Sequence, residues 1–182
     1  MRRLSKFLFK DVTLSISILF LLASGVVMLV SLDKSLFPQY YLYIFFALLA
    51  FLVFSMIDFE IISLFSKHLY IGSIFLLALT LILGRVTRNT VRWIQIGPTT
   101  LQSAEIVRPF LLLFFANFLG KGEVTLKKFS QSLGLLALPV ALILAQPSLG
   151  VSILMVVGFV GVLLASKFNK KLLLIGVLIC AL

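Results

Sequence analysis

The feature that most constrains this chain is a series of long apolar runs, set along its whole length and separated by short connections that carry most of the charge. The runs cover about Val12 to Val30, Tyr40 to Ile57, Leu69 to Leu83, Ala104 to Leu119, Leu133 to Ala145 and Val151 to Ala165, and a seventh begins at Leu172. A bilayer core takes about 20 predominantly apolar residues per helical span. A chain of 182 residues that is 62% hydrophobic and 12% charged, with a mean hydropathy of +1.21, therefore has lipid as its solvent and no room for a soluble domain. Only helices and closed barrels satisfy their backbones in lipid, and barrel strands would alternate polar with apolar residues, which these runs do not. The expected fold is all-α: a polytopic transmembrane helical bundle of six spans plus a truncated seventh. The third, fifth and sixth runs fall short of the usual range of about 17 to 25 residues, so they are expected to extend into their flanks or to pack inside the bundle.

A net charge of +10 would suggest nucleic acid in a soluble protein, but the basic residues here stand between apolar runs and report topology, so no nucleic-acid partner is expected. With the N-terminus cytoplasmic, the connections at about 58 to 68, 120 to 130 and 166 to 171 are cytoplasmic too. Eleven of the 16 Lys and Arg residues then lie inside: Arg2, Arg3, Lys6, Lys10, Lys67, Lys121, Lys127, Lys128, Lys167, Lys170 and Lys171. The five outside are Lys34, Arg85, Arg88, Arg92 and Arg108, four of them in one segment. The count supports a cytoplasmic N-terminus, and because the first run is longer than a signal-peptide core and more spans follow, an uncleaved first helix is expected in a multi-pass protein of the cytoplasmic membrane. Tyr40, Tyr41 and Tyr43 fit an interfacial belt, and Gly158 with Gly161 would let a neighbouring helix approach closely. Cys180 stands alone and forms no internal disulfide, and no metal cluster, phosphate loop or nucleophile elbow is present, so no cofactor is expected.

Residues 84 to 109 carry the exception. This long polar loop holds the single tryptophan, Trp93, and runs into a helix bearing a carboxylate. Gly97-Pro98 fits a turn, Thr99 and Gln102 have capping-box spacing, and Gln102 or Ser103 itself suits an N-cap, so the fourth helix begins within Thr99 to Ala104. Glu105 and Arg108, three apart on one helical face near the outer boundary, are expected to pair, either as a packing device or as part of a functional site. Pro109 removes a backbone bond in that helix and would favour a bend. Arg85, Arg88 and Arg92 place positive charge outside; the first two suit a solvated or headgroup-bound loop, and Arg92 suits a phosphate ligand. Trp93 reads as an interfacial anchor, and Asp58, Glu60 and His68 as solvated groups.

Arg92-Trp93-Ile94, Gly97, Leu101-Gln102-Ser103-Ala104-Glu105 and Arg108, followed by Leu138-Pro139 and Gln146-Pro147-Ser148-Leu149-Gly150, resemble the SEDS family of shape, elongation, division and sporulation proteins (RodA/FtsW/SpoVE-like). That family shows Arg-Trp-Ile, then Gly, then Gln-Pro-Ser-Glu with a lysine three residues on, and later Gln-Pro-Asp-Leu-Gly-Thr. Here Ser103 and Ala104 replace Pro-Ser, Arg108 replaces the lysine, and Ser148 and Val151 replace the aspartate and threonine. The resemblance implies a peptidoglycan glycosyltransferase that handles lipid II at the outer face of the cytoplasmic membrane in cell-wall synthesis, cell shape and division, with a class B penicillin-binding transpeptidase as partner and membrane lipids around it. It implies substrate-binding or motif roles for Arg92, Trp93, Gln102, Glu105, Arg108, Gln146 and Pro147. Residues 1–182 read as the N-terminal part of such a transmembrane domain, with the second half and its catalytic loop absent, so no catalytic residue and no metal ligand is assigned. A lipid II transporter and a non-catalytic membrane fragment are the alternative readings.

Overall fold

Each of the six apolar runs among the described residues forms a helix, as the cost of an unpaired backbone group in lipid requires. The computed structural model describes residues 12–32, 37–87, 90–96 and 99–167. The N-terminal basic residues, Asp33, Lys34, Arg88, Gly97-Pro98, Lys170, Lys171 and the run from Leu172 with Cys180 lie outside the described residues. The chain divides into two compact units, residues 1–58 and 59–182.

The first unit holds α1 (Val12–Leu32) and α2 (Phe37–Met56). Neither carries a charged residue, and serines in α1 close their hydroxyls onto their own helix, as Ser24 does on the carbonyls of Phe20 and Leu21. Gly25 leaves room for Tyr40, whose hydroxyl lies 3.4 Å from where a Cβ would stand. The two helices thereby meet at a small residue.

The second unit runs α3 (Phe59–Leu64), α4 (Ser66–Leu83), β1 (Arg85–Thr87), β2 (Thr90–Ile96), β3 (Thr99–Gln102), α5 (Ser103–Gly120), α6 (Leu126–Ala145) and α7 (Leu149–Ala165). Helices α4, α5 and α6 are each long and apolar enough to cross a membrane. They pack on one another, and α7 packs against α5 and α6. Leu77, Val107, Leu111, Phe115, Ile143 and Met155 form the centre of the core. Around it Tyr70, Phe114, Phe115 and Phe159 meet ring to ring, with the edge of Phe115 on Phe159 at 5.0 Å. Gly158 of α7 faces Leu112 so closely that a Cβ would come within 2.9 Å of its methyl carbons. Gly161 faces open space, so of the two glycines expected to admit a neighbour only Gly158 does so.

Three sequence expectations are corrected. The connection expected over 58 to 68 contains α3, and the helix after it starts at Ser66. The connection expected over 120 to 130 is only residues 121–125, because Thr125 caps α6 by accepting from the Lys128 amide at 3.3 Å, which puts Lys127 and Lys128 in its first turn. The apolar run stops at the polar stretch Ser130-Gln131-Ser132, whereas a helix begins at its cap and carries polar residues and lysine stems along its first turns. The third correction concerns the stretch expected to be a long loop, in which β1, β2 and β3 pair as a three-stranded antiparallel sheet of order β1-β2-β3. Thr99 accordingly belongs to a strand and forms no capping box, while Gln102 stands at the N-cap of α5 without a side-chain cap bond. Val91, Ile94 and Ile96 among threonines give that stretch strand character, which its overall polarity concealed.

Candidate functional site

The sheet delivers the first motif to the start of α5. In the β2–β3 ladder Trp93 stands opposite Gln102 and Ile94 opposite Leu101, so the Arg92-Trp93 pair is carried to the strand end where Gln102 and Ser103 begin the helix. On its other side Trp93 pairs with Arg85 of β1. Arg92 and Trp93 are half-buried, and β2 packs against α4 and α5.

The second motif arrives from the other direction, at the corner between α6 and α7. Gln146 ends α6 and is fully buried at 0% exposure. Its Nε2 donates to the Leu77 carbonyl in the middle of α4 at 3.0 Å, and its backbone N–H donates to the Ile143 carbonyl at 3.1 Å. Ser148, two residues on and 3% exposed, begins α7 and accepts the Ser152 amide and hydroxyl on its carbonyl, both at 3.1 Å. The two motifs meet here. Gln102 Nε2 donates to Ser148 Oγ across a long 3.4 Å bond between residues 46 apart in the chain.

Burial leaves this junction with unused acceptors. Ser103 Oγ and Gln146 Oε1 are both buried and have no hydrogen-bond partner among the described residues. An orphaned buried polar atom costs on the order of 1–3 kcal/mol, so such atoms are usual where a ligand or water completes the set. Sequence reasoning singled out Gln102, Gln146 and Pro147 and offered Ser103 only as an N-cap, but it assigned no partner to Ser148 and no role to Leu77. A glutamine between two apolar runs is itself a signal, since an amide at membrane depth must find a partner.

Glu105 and Arg108 behave differently from expectation. Glu105 is exposed, Arg108 is half-buried, and among the described residues no ion pair joins them. Glu105 lies in the first turn of α5, where the free amides and the positive end of the helix favour a carboxylate without a side-chain cation. Pro109 lies inside α5 and withdraws the amide that would have bonded the Glu105 carbonyl. Asp58, Glu60 and His68 are exposed, as the sequence suggested. No group of three or more metal-ligating side chains gathers among the described residues.

A family model described as Cell cycle protein, covering FtsW, RodA and SpoVE, matches residues 4–182. The chain belongs to this family. Among its relatives, the Escherichia coli FtsW named a probable peptidoglycan glycosyltransferase is 33% identical over 97 residues, which make up 51% of this chain and 23% of that protein. The Escherichia coli K12 peptidoglycan glycosyltransferase MrdB is 30% identical over 118 residues, 64% of this chain and 32% of the relative. The fold agrees with the family. A chain from a peptidoglycan synthase complex that coordinates polymerization with crosslinking superposes with a TM-score of 0.79 at 26% identity, covering 91% of this chain and 52% of that one. The rod shape determining protein RodA of Thermus thermophilus gives 0.71 at 25% identity, over 82% of this chain and 50% of its own. The FtsW/RodA/SpoVE chain described here thus spans about half of those solved chains and a smaller part of the curated relatives. It is an integral membrane protein of a bacterial family, with the helical fold expected and a small sheet added to it.

Proposed function

We propose that this chain forms the lipid II-handling part of a peptidoglycan glycosyltransferase of the cytoplasmic membrane. It would cross that membrane six times over residues 12–165, with its N-terminus inside and the sheet on the outer face. The observation that carries the reading is the Gln102–Ser148 bond, which joins the two motifs typical of the family beneath a sheet bearing Arg92 and Trp93. Lipid II presents a pyrophosphate and sugars. An arginine fork suits the first, and neutral amide and hydroxyl groups such as Ser103 Oγ and Gln146 Oε1 suit the hydroxyls and amides of the second. A class B penicillin-binding transpeptidase fits as partner, since a similar chain belongs to a complex that couples polymerization to crosslinking.

The test is a titration of the purified chain in nanodiscs with fluorescent lipid II. Saturable binding is expected, weakened about tenfold or more by Arg92→Ala through the loss of charge-assisted hydrogen bonds. Equal affinity of the two proteins, or none in either, would remove the proposal. Passage of lipid II across a vesicle without glycan formation would replace it by the transporter reading.

A further inference from the structure

The opposite ends of α4, α5 and α6 enclose a second site. Between the first turns of α4 and α6 and the last turn of α5 lies a cavity of about 620 Å³, within the range of roughly 300–1,000 Å³ that small-molecule sites occupy. Tyr70, Phe114 and Phe118 form an aromatic wall and Lys67, Lys121 and Lys128 bring three ammonium groups to it; no residue of the lining is acidic. Lys128 is held in place: its ammonium donates to the Lys121 carbonyl and stands 5.8 Å from the centre of the Phe118 ring. Two helix N-termini converge on the same space. The α4 terminus has Phe65 at its cap position and no side-chain cap bond, and it turns the positive end of its dipole toward this space. Three ammonium groups and an uncapped helix start over an aromatic floor match an amphiphile with an anionic phosphate head and an apolar body. Such basic recesses between transmembrane helices suit acidic lipid headgroups.

We propose that this cavity is a binding site for an anionic phospholipid, with the phosphate among Lys67, Lys121 and Lys128 and the upper acyl chains against Tyr70, Phe114 and Phe118. The site is separate from the motif junction: Lys128 and Gln146 lie at opposite ends of α6, 20 residues long, which is about 30 Å. The proposal does not depend on the activity proposed above.

Native mass spectrometry of the purified chain, released from phosphatidylcholine nanodiscs doped with phosphatidylglycerol, tests it. The chain should retain phosphatidylglycerol over phosphatidylcholine by about tenfold or more, since each lysine near an acidic lipid contributes roughly a fivefold preference. The combined substitution Lys67→Gln, Lys121→Gln and Lys128→Gln should abolish that preference. Ile71→Trp, at an exposed position that lines the same cavity, should lower retention with every charge in place, which keeps the test open if the triple variant is unstable. Equal retention of the two lipids, an unaltered preference in both variants, or full displacement of the lipid by inorganic phosphate would overturn the proposal, the last by showing a site for a soluble anion.

Discussion

The two ends of α4, α5 and α6 solve the same problem in opposite ways. At one end Gln102, Ser103, Gln146 and Ser148 are neutral, and the last three are buried. At the other, Lys67 and Lys121 are exposed and Lys128 half-buried around an open cavity. A neutral amide can be buried if it finds a carbonyl, as Gln146 finds Leu77, whereas an ammonium taken from water costs several kcal/mol and is therefore kept at a rim. Identical helices thus carry a closed polar junction at one end and an open charged recess at the other. The difference teaches that polarity in this bundle is placed by the cost of desolvation, charge by charge.

The largest effect bears on which end faces out. A cysteine at Thr87 should be modified by an impermeant reagent added outside and one at Lys127 spared, all or none; the reversed pattern would invert the assignment of the two ends. Next in size is charge introduced into the closed end. Gln146→Glu should cost about 3 kcal/mol or more, or prevent folding, because it sets a carboxylate beside the Leu77 carbonyl. Lys67→Gln at the exposed end should change stability by no more than about 0.5 kcal/mol in the same denaturation assay, and equal costs would erase the contrast.

Packing gives a smaller effect. Gly158→Leu should destabilise by about 2 kcal/mol because Leu112 occupies the space, while Gly161→Leu should lie near zero. Gln102→Ala and Ser148→Ala should then show a coupling of only about 0.5 kcal/mol in a double-mutant cycle, since the bond is long; additive losses would mean that the two motifs are merely adjacent. The smallest signal is expected for Glu105→Ala with Arg108→Ala. Their cycle should show no coupling, with Glu105→Ala alone costing about 0.3–1 kcal/mol through the helix terminus, and a coupling above 1 kcal/mol would restore the ion pair.

The long helices were legible in the sequence because lipid leaves an apolar backbone no alternative, and α1, α2, α4, α5 and α7 fall close to the runs that announce them. Boundaries were less so where polarity and structure part company: Lys127, Lys128 and the Ser130-Gln131-Ser132 stretch that bounds the apolar run over Leu133 to Ala145 all sit inside α6, behind the Thr125 cap. The sheet was hidden for a related reason. Strand pairing in β1 to β3 depends on which backbone lies alongside, and a polar stretch gives no alternating pattern from which to read it.

By itself, then, the sequence determined that the chain is a helical membrane protein and where most of its helices lie, because hydropathy and local order are properties of single segments. Only the tertiary structure decided that Gln102 reaches Ser148, that Gln146 holds α4 and that Lys67 of α4 lines one cavity with Lys121 and Lys128. Those are contacts between residues tens of positions apart, and spacing along a chain cannot say which faces of two helices will meet.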